Sequence, residues 1–141
     1  PLAPPGAEAR ARMRLISRLG DLYVFPALSR LSELTKLQQR EPEAVAEVLA
    51  EVRKALGYLE YYLAGGPYAL GAAYTLADCA LAPLLFYAEP LGKIVDAEDL
   101  LAAGKLAIYW AGLRADPTTA RVFEEMHAGA QRNAQRRQAG G

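Results

Sequence analysis

The chain has 141 residues, of which 52% are hydrophobic, enough to form one core and therefore one domain. Its 16 basic and 16 acidic residues give a formal net charge of +0, which argues against nucleic acid or an anionic membrane as a partner. The single cysteine, Cys79, cannot form an internal disulfide, and no Cys and His residues have metal-ligand spacing, so we expect a cytoplasmic protein without a metal site.

Residues 1–6 predict a linker between domains. They contain three prolines and have neither an initiator Met nor the order of a signal peptide, so we expect the chain to be a fragment that follows another domain. From residue 7 to about residue 39, apolar residues recur at helical spacing and predict a long amphipathic helix. Pro26 removes a backbone donor and crowds the carbonyl of Leu22, and we therefore expect this helix to bend there.

Shorter helices are expected after the first one. The next predicted segments are a helix from 42 to 64 and a capped helix from 75 that kinks at Pro83 and ends at Pro90 and Gly92. An irregular connection over 96–104 with a brief helical turn follows. The last predicted segments are a helix over 105–113, a helix from Pro117 to 128 and a disordered tail over 129–141. No run of alternating apolar and polar residues predicts a strand. The predicted fold class is all-α, a bundle of about five helices whose first helix is long and bent.

The most informative stretch of the sequence runs from Leu63 to Pro83. Thr75 can accept a hydrogen bond from the backbone N–H of Asp78, and the Asp78 carboxylate can accept one from the N–H of Thr75, which together form a capping box. Tyr74 and Cys79 have the spacing of a hydrophobic staple. Many helices begin in this way, so the box alone does not identify a family.

The context of the box is more specific. A helix ending in Leu-Ala-Gly, a short loop with an aromatic residue and glycine, then Thr-Leu-Ala-Asp and an apolar helix with proline resembles the C-terminal all-helical domain of bacterial-type glutathione S-transferases. A Tyr-Trp-x-x-Leu-Arg-Ala-Asp-Pro segment before the last helix extends the resemblance over nearly the whole chain. The resemblance implies a helical domain over 7–128 that follows a thioredoxin-like domain.

The resemblance also implies a function. The parent protein would conjugate glutathione to hydrophobic electrophiles, with glutathione as co-substrate held mainly by the upstream domain, and the fragment alone would not be catalytic. This half would supply the electrophile pocket and a homodimer interface through the first two helices. The alternative is a non-enzymatic interaction module, because this fold also serves as a scaffold.

In the family the first helix forms one wall of the substrate pocket, so the resemblance places the candidate substrate-binding residues on this helix. They are Arg10, Met13, Arg14, Ser17, Arg18 and Asp21. The alternative is a solvated helical face with ion pairs between neighbouring turns. Tyrosines 58, 61, 62 and 87 are expected in the core or an interface, Cys79 as a small buried hydrophobe and His127 on the surface. The basic tail is expected to be solvated, or else to fold over a ligand site.

Overall fold

The computed structural model describes residues 1–140, and their regular structure is helical. The elements are α1 (Ala7–Leu19), a π-helical turn (Gly20–Val24), α2 (Phe25–Thr35), α3 (Pro42–Tyr62), α4 (Leu76–Ile94), a 3-10 turn (Glu98–Leu101), α5 (Gly104–Ala115) and α6 (Pro117–Ala139). Among the described residues the only β-type pairing is an isolated bridge between Tyr68 and Gly71. The predicted all-α class is confirmed.

α1, the π turn and α2 form one continuous bent helix, as the sequence predicted. The bend is not a simple proline kink, because the turn before Pro26 is widened so that the N–H of Phe25 bonds to the carbonyl of Gly20, five residues back. A π turn relieves the crowding that the proline ring would otherwise cause in the preceding turn. The turn also packs closely on α4, since a Cβ at Gly20 would lie 2.8 Å from the side chain of Leu81.

The core is one apolar cluster with α4 at its centre. α4 contacts α1, α2, α5 and α6, and it buries Leu81 and Leu85 completely. The four residues expected to point inward from the helix over 105–113 are all buried: Leu106, Tyr109, Trp110 and Leu113. The spacing of apolar residues therefore predicted the buried face of α5 correctly.

Two segments extend further than the sequence suggested. α4 passes through both Pro83 and Pro90 and ends at Ile94, because each proline removes one backbone donor and the rest of the helix stays paired and packed. The tail expected to be disordered over 129–141 instead continues α6 to Ala139, and the side chains of residues 130–140 are exposed. Alanine, glutamine and arginine favour helix here, while residue 141 lies outside the described residues.

No helix in the described part of the chain is both long enough and apolar enough to cross a bilayer.

Candidate functional site

A groove between α2 and α4 encloses a cavity of about 410 Å³ that opens to solvent. Its walls are mostly apolar, and the residues that line it are Phe25, Leu28, Ser29, Ser32, Glu33, Pro83, Leu84, Tyr87 and Leu91. The lining residues of α2 recur at steps of one, three and four, so they share one face of that helix. We call this feature the α2–α4 groove.

The groove exposes two aromatic rings that a closed core would bury. Phe25, the first residue after the π turn, is 56% exposed, and Tyr87 on α4 is 50% exposed. Leu28, one turn after Phe25 on α2, also lines the groove. It is buried, so it belongs to both the groove and the core. Tyr87 was expected in the core or an interface. Its exposure excludes the core, and a position in an interface stays a prediction.

The polar groups of the groove are few. Two serine hydroxyls and the Glu33 carboxylate lie on its α2 side, and Glu33 forms an ion pair with Lys36. No cysteine, histidine or lysine is among the lining residues described above. The groove can therefore bind an apolar ligand.

At the start of α4, Thr75 and Asp78 are joined by hydrogen bonds that the Asp78 carboxylate accepts. Asp78 is completely buried, and its Oδ2 accepts hydrogen bonds from the Thr75 N–H at 2.7 Å and from the Thr75 hydroxyl at 3.0 Å. Its Oδ1 accepts from the N–H of Ala69 at 2.8 Å. One carboxylate therefore fixes both the start of α4 and the loop that precedes it.

Tyr109 lies fully buried next to this carboxylate. Burial raises the pKa of the Tyr109 phenol, and the Asp78 charge raises it further. Its hydroxyl has no hydrogen-bond partner among the described residues. The phenol therefore stays protonated at physiological pH and is a structural group of the core.

The six candidate residues, five on α1 and Asp21 in the π turn, do not line the α2–α4 groove. Met13 is only 5% exposed and belongs to the core, while the half-buried Ser17 donates its hydroxyl to the Met13 carbonyl at 2.9 Å. Arg10 is half-buried and its guanidinium lies 3.5 Å from the carbonyl of Pro4.

The other three candidates lie on the open face of α1 and the π turn. Arg14 is exposed, and Arg18 lies 3.6 Å from Asp21 in an exposed ion pair one turn apart. Such a pair is typical of a solvated helix face and contributes little to stability. The structure therefore spreads the six residues between the core and the solvent, and a binding role for them remains a prediction.

Cys79 and His127 are both exposed, and only His127 was expected to be. Cys79 was expected to be buried, but it is exposed, because α4 turns the neighbouring Asp78 inward instead. With Tyr74 and Ala82 it lines a cavity of about 460 Å³. His127 is exposed, as expected, and its ring contacts that of Phe86 at a centroid distance of 4.7 Å. Within residues 1–140, no group of three or more His, Cys, Asp or Glu side chains is arranged to hold a metal ion.

Comparison with known proteins identifies the fold. The family described as "Glutathione S-transferase, C-terminal domain" matches residues 42–111. Glutathione transferase Omega 3C from Trametes versicolor is 29% identical with a TM-score of 0.71, over 85% of this chain and 52% of that one. No curated protein matches the chain.

Two bacterial structures show the same fold at lower identity. A glutathione transferase from Burkholderia graminis, with two glutathione molecules bound per subunit, is 24% identical with a TM-score of 0.68 over 87% of this chain and 52% of that one. A glutathione transferase family member from Pseudomonas fluorescens pf-5, with two glutathione bound, is 21% identical with a TM-score of 0.69 over 87% and 56%. The chain thus spans about half the length of these structures, and it belongs to the glutathione S-transferase family as that family's C-terminal helical domain.

Proposed function

We propose that this chain is the electrophile-binding half of a cytoplasmic glutathione transferase. The α2–α4 groove carries the proposal, because it is an apolar cavity of about 410 Å³ open to solvent on a chain of this family. A hydrophobic electrophile would lie between Phe25 and Tyr87 with little polar surface left unpaired.

The reactive thiol would come from glutathione held by an upstream domain. The groove's contribution would be to hold the electrophile near the thiolate and to exclude water around it. Both bacterial relatives contain bound glutathione, which supports glutathione as the co-substrate. The helical domain by itself is then expected to be inactive.

We also propose a homodimer that uses α1, α2 and α3. Leu15 on α1, Leu22 in the π turn and Tyr61 on α3 leave apolar surface exposed, and a second copy of the chain would cover it. Arg14 and Arg18 of α1 are exposed and would then lie near the interface. Arg14 would be available there to a charged group of glutathione in the neighbouring subunit, whereas Arg18 is paired with Asp21.

The experiment uses the parent protein and two matched leucine variants. Leu84→Trp fills the groove, whereas Leu37→Trp adds the same bulk at an exposed position after α2. We expect Leu84→Trp to raise the KM for an activated aryl halide about tenfold, equivalent to about 1.4 kcal/mol of binding energy, with retention on immobilised glutathione unchanged. Leu37→Trp should leave both properties unchanged.

Each result addresses a separate part of the proposal. If the parent protein is not retained on immobilised glutathione at low salt, the transferase function is wrong. If it conjugates glutathione but Leu84→Trp and Leu37→Trp have the same KM, the electrophile binds elsewhere than in the α2–α4 groove.

A further inference from the structure

The C-terminal part of α6 continues beyond the core. Phe123 is the last buried residue of this helix, and the side chains of residues 130–140 are all exposed. We call residues 130–140 the α6 arm. Its residues are alanine, glutamine, asparagine, arginine and glycine, without a large apolar side chain. Because the arm has no apolar face, a partner would bind it through polar and charged groups.

The charged groups of the arm differ from those of the rest of the chain. The arm contains three arginines and no acidic residue, and its arginines make neither a hydrogen bond nor an ion pair through their side chains within residues 1–140. The arginines before the arm, with the exception of Arg14, each make at least one such contact: Arg10, Arg12, Arg18, Arg30, Arg40, Arg53, Arg114 and Arg121. Guanidinium groups without a partner in the described part of the chain are therefore concentrated on the arm.

Two of the three arginines share one side of the arm. Arg132 and Arg136 are four residues apart, so their side chains lie one turn apart on the same side of the helix. Arg137 lies on another side, because it lines a cavity of about 440 Å³ together with Tyr87 of α4. Arg132 and Arg136 do not line this cavity. We call these two residues the arginine pair.

The helix dipole accounts for only part of this arrangement. Cations near the C-terminus stabilise a helix, and Arg136 and Arg137 lie in the last turn of α6. Arg132 lies one turn earlier, where the dipole has little effect, and like charges four residues apart destabilise a helix. Carboxylates of a partner would replace this repulsion by attraction. Guanidinium groups suit such a partner, because each can bind a carboxylate through two parallel hydrogen bonds.

We propose that the arginine pair binds an acidic helix of a partner protein, in which two carboxylates lie one turn apart and face Arg132 and Arg136. The spacing matches, since residues four apart on either helix are separated by about 6 Å. The lack of large apolar side chains on the arm argues against insertion into a membrane surface. The proposal is independent of the transferase function, because neither arginine lines the α2–α4 groove.

The test titrates the full 141-residue chain with an alanine-based helical peptide that has glutamate at every fourth position. Binding is followed through the amide chemical shifts of the arm, which also report weak complexes. We expect Arg132→Gln and Arg136→Gln each to raise the Kd about two- to fivefold, the effect of one exposed ion pair. Arg137→Gln is the matched control, with the same change of charge on another side of the helix, and should raise the Kd less than either.

Three further measurements separate an ion-paired contact from general attraction. The same peptide with glutamine in place of glutamate should not bind. Added salt should weaken the acidic peptide more on the unmodified chain than on the double variant Arg132→Gln/Arg136→Gln, since screening acts on the charge pairs. Arg132→Lys/Arg136→Lys retains both charges without the parallel hydrogen bonds and should bind with intermediate affinity. Circular dichroism checks that each variant keeps its helix content.

The proposal is overturned if the double glutamine variant binds the acidic peptide as tightly as the unmodified chain, or if Arg137→Gln weakens it as much as Arg132→Gln does. Tighter binding of a DNA duplex or a phosphatidylserine vesicle through the arginine pair would also overturn it, because the partner would then be a nucleic acid or a membrane. Self-association at low salt that the double variant loses would identify a second copy as the occupant, bound through the exposed Glu43 and Glu47 of its α3, and would equally overturn the proposal.

Discussion

At the scale of single residues, the carboxylate of Asp78 combines complete burial with three hydrogen bonds, two of them from backbone N–H groups. Replacement by alanine leaves the N–H groups of Ala69 and Thr75 buried without an acceptor. We expect Asp78→Ala to lower the free energy of unfolding by about 2–4 kcal/mol, and Thr75→Ala by about 0.5–2 kcal/mol. Urea unfolding followed by helical circular dichroism measures both values.

Glu43 provides the control for this prediction. It also lies in the first turn of a helix, α3, but it is exposed and accepts no hydrogen bond from a distant segment. Glu43→Ala should therefore cost no more than about 0.5 kcal/mol, the effect of one charge near the helix dipole. Equal losses for Asp78→Ala and Glu43→Ala would show that the capping box does not stabilise this fold.

Asp116 gives a prediction about pH. Burial opposes ionisation of this carboxyl, but hydrogen bonds from the Thr119 N–H and the Tyr68 hydroxyl, each 2.9 Å long, outweigh burial and hold its pKa below the usual value. Because the folded pKa is the lower one, the ionised carboxylate stabilises the fold above the unfolded value of about 3.9, and this contribution is lost as the pH falls through the folded pKa.

Asp116→Asn tests this dependence, since asparagine can still cap α6 but carries no charge. We expect the variant to be about 0.3–1 kcal/mol less stable than the unmodified chain near neutral pH, and the difference to shrink toward zero below about pH 3. Urea unfolding at a series of pH values measures the difference. A difference that stays constant across the series would contradict the assignment of the charge to this cap.

The residues predicted correctly from sequence are those whose partners are close in the chain. Thr75 and Asp78 are three residues apart, so the spacing alone indicates their hydrogen bond. The bond from Ala69 to Asp78, the exposure of Cys79 and the buried hydroxyl of Tyr109 depend on where a loop and a neighbouring helix pass. No local pattern encodes these paths, and they appear only in the folded structure.

At the scale of elements, α5 begins without a side-chain cap of its own. A residue of α3 replaces the cap, because the two oxygens of Glu60 accept hydrogen bonds from the N–H groups of Lys105 at 2.8 Å and Leu106 at 2.7 Å. Gly104 has a φ of +64, and a Cβ there would lie 2.5 Å from Glu60 Oε1, so glycine leaves the room that the carboxylate needs.

We expect Glu60→Ala to destabilise the chain by about 1–2 kcal/mol, since it leaves both N–H groups and the positive end of the helix dipole unsatisfied. Glu60→Gln should cost about half as much, because its amide retains one acceptor oxygen. Glu47→Gln, at an exposed position of the same helix, is the control and should be neutral. Denaturant midpoints give the three values, and a loss in Glu60→Ala no larger than that in Glu47→Gln would rule out the distant cap.

The helices themselves were largely predictable, whereas their irregularities were not. The three-and-four spacing of apolar residues indicates α3 and α5 from the sequence, because burial of one face imposes that period. Pro26 indicated a bend in the first helix, but it did not indicate the π turn or the close packing of Gly20 on α4. The extension of α6 rests on local helix propensity rather than burial, and an apolar pattern cannot reveal it.

At the scale of the whole molecule, the family was predicted from the order of its helices and the capping box, and the comparisons confirm it. The α2–α4 groove was not predicted. Phe25 and Tyr87 are far apart in the chain, and neither belongs to a motif. The cavity is lined by two helices that are distant in the chain, α2 and α4, and this juxtaposition is a property of packing rather than of sequence spacing.

The proposed homodimer leads to a prediction about the whole assembly. Leu22 lies in the π turn, is 54% exposed and contributes nothing to the core, so a charge there should leave the fold intact. In a dimer through α1, α2 and α3, however, Leu22→Glu would bury two carboxylates, one from each copy, without partners. We expect this change to weaken association at least about a hundredfold and to convert dimer to monomer in light-scattering measurements over a concentration series.

Ile108→Glu is the matched control, because Ile108 is 52% exposed on α5, outside the proposed interface. It should remain a dimer with the same dissociation constant as the unmodified chain, and both variants should unfold at the same urea midpoint when measured as monomers. If Leu22→Glu remains dimeric while Ile108→Glu dissociates, the exposed apolar side chains of α1 and α3 do not form the dimer contact. The interface then lies on the face that includes α5. If both remain dimeric, neither side chain lies in the interface, and the proposed use of α1, α2 and α3 is wrong.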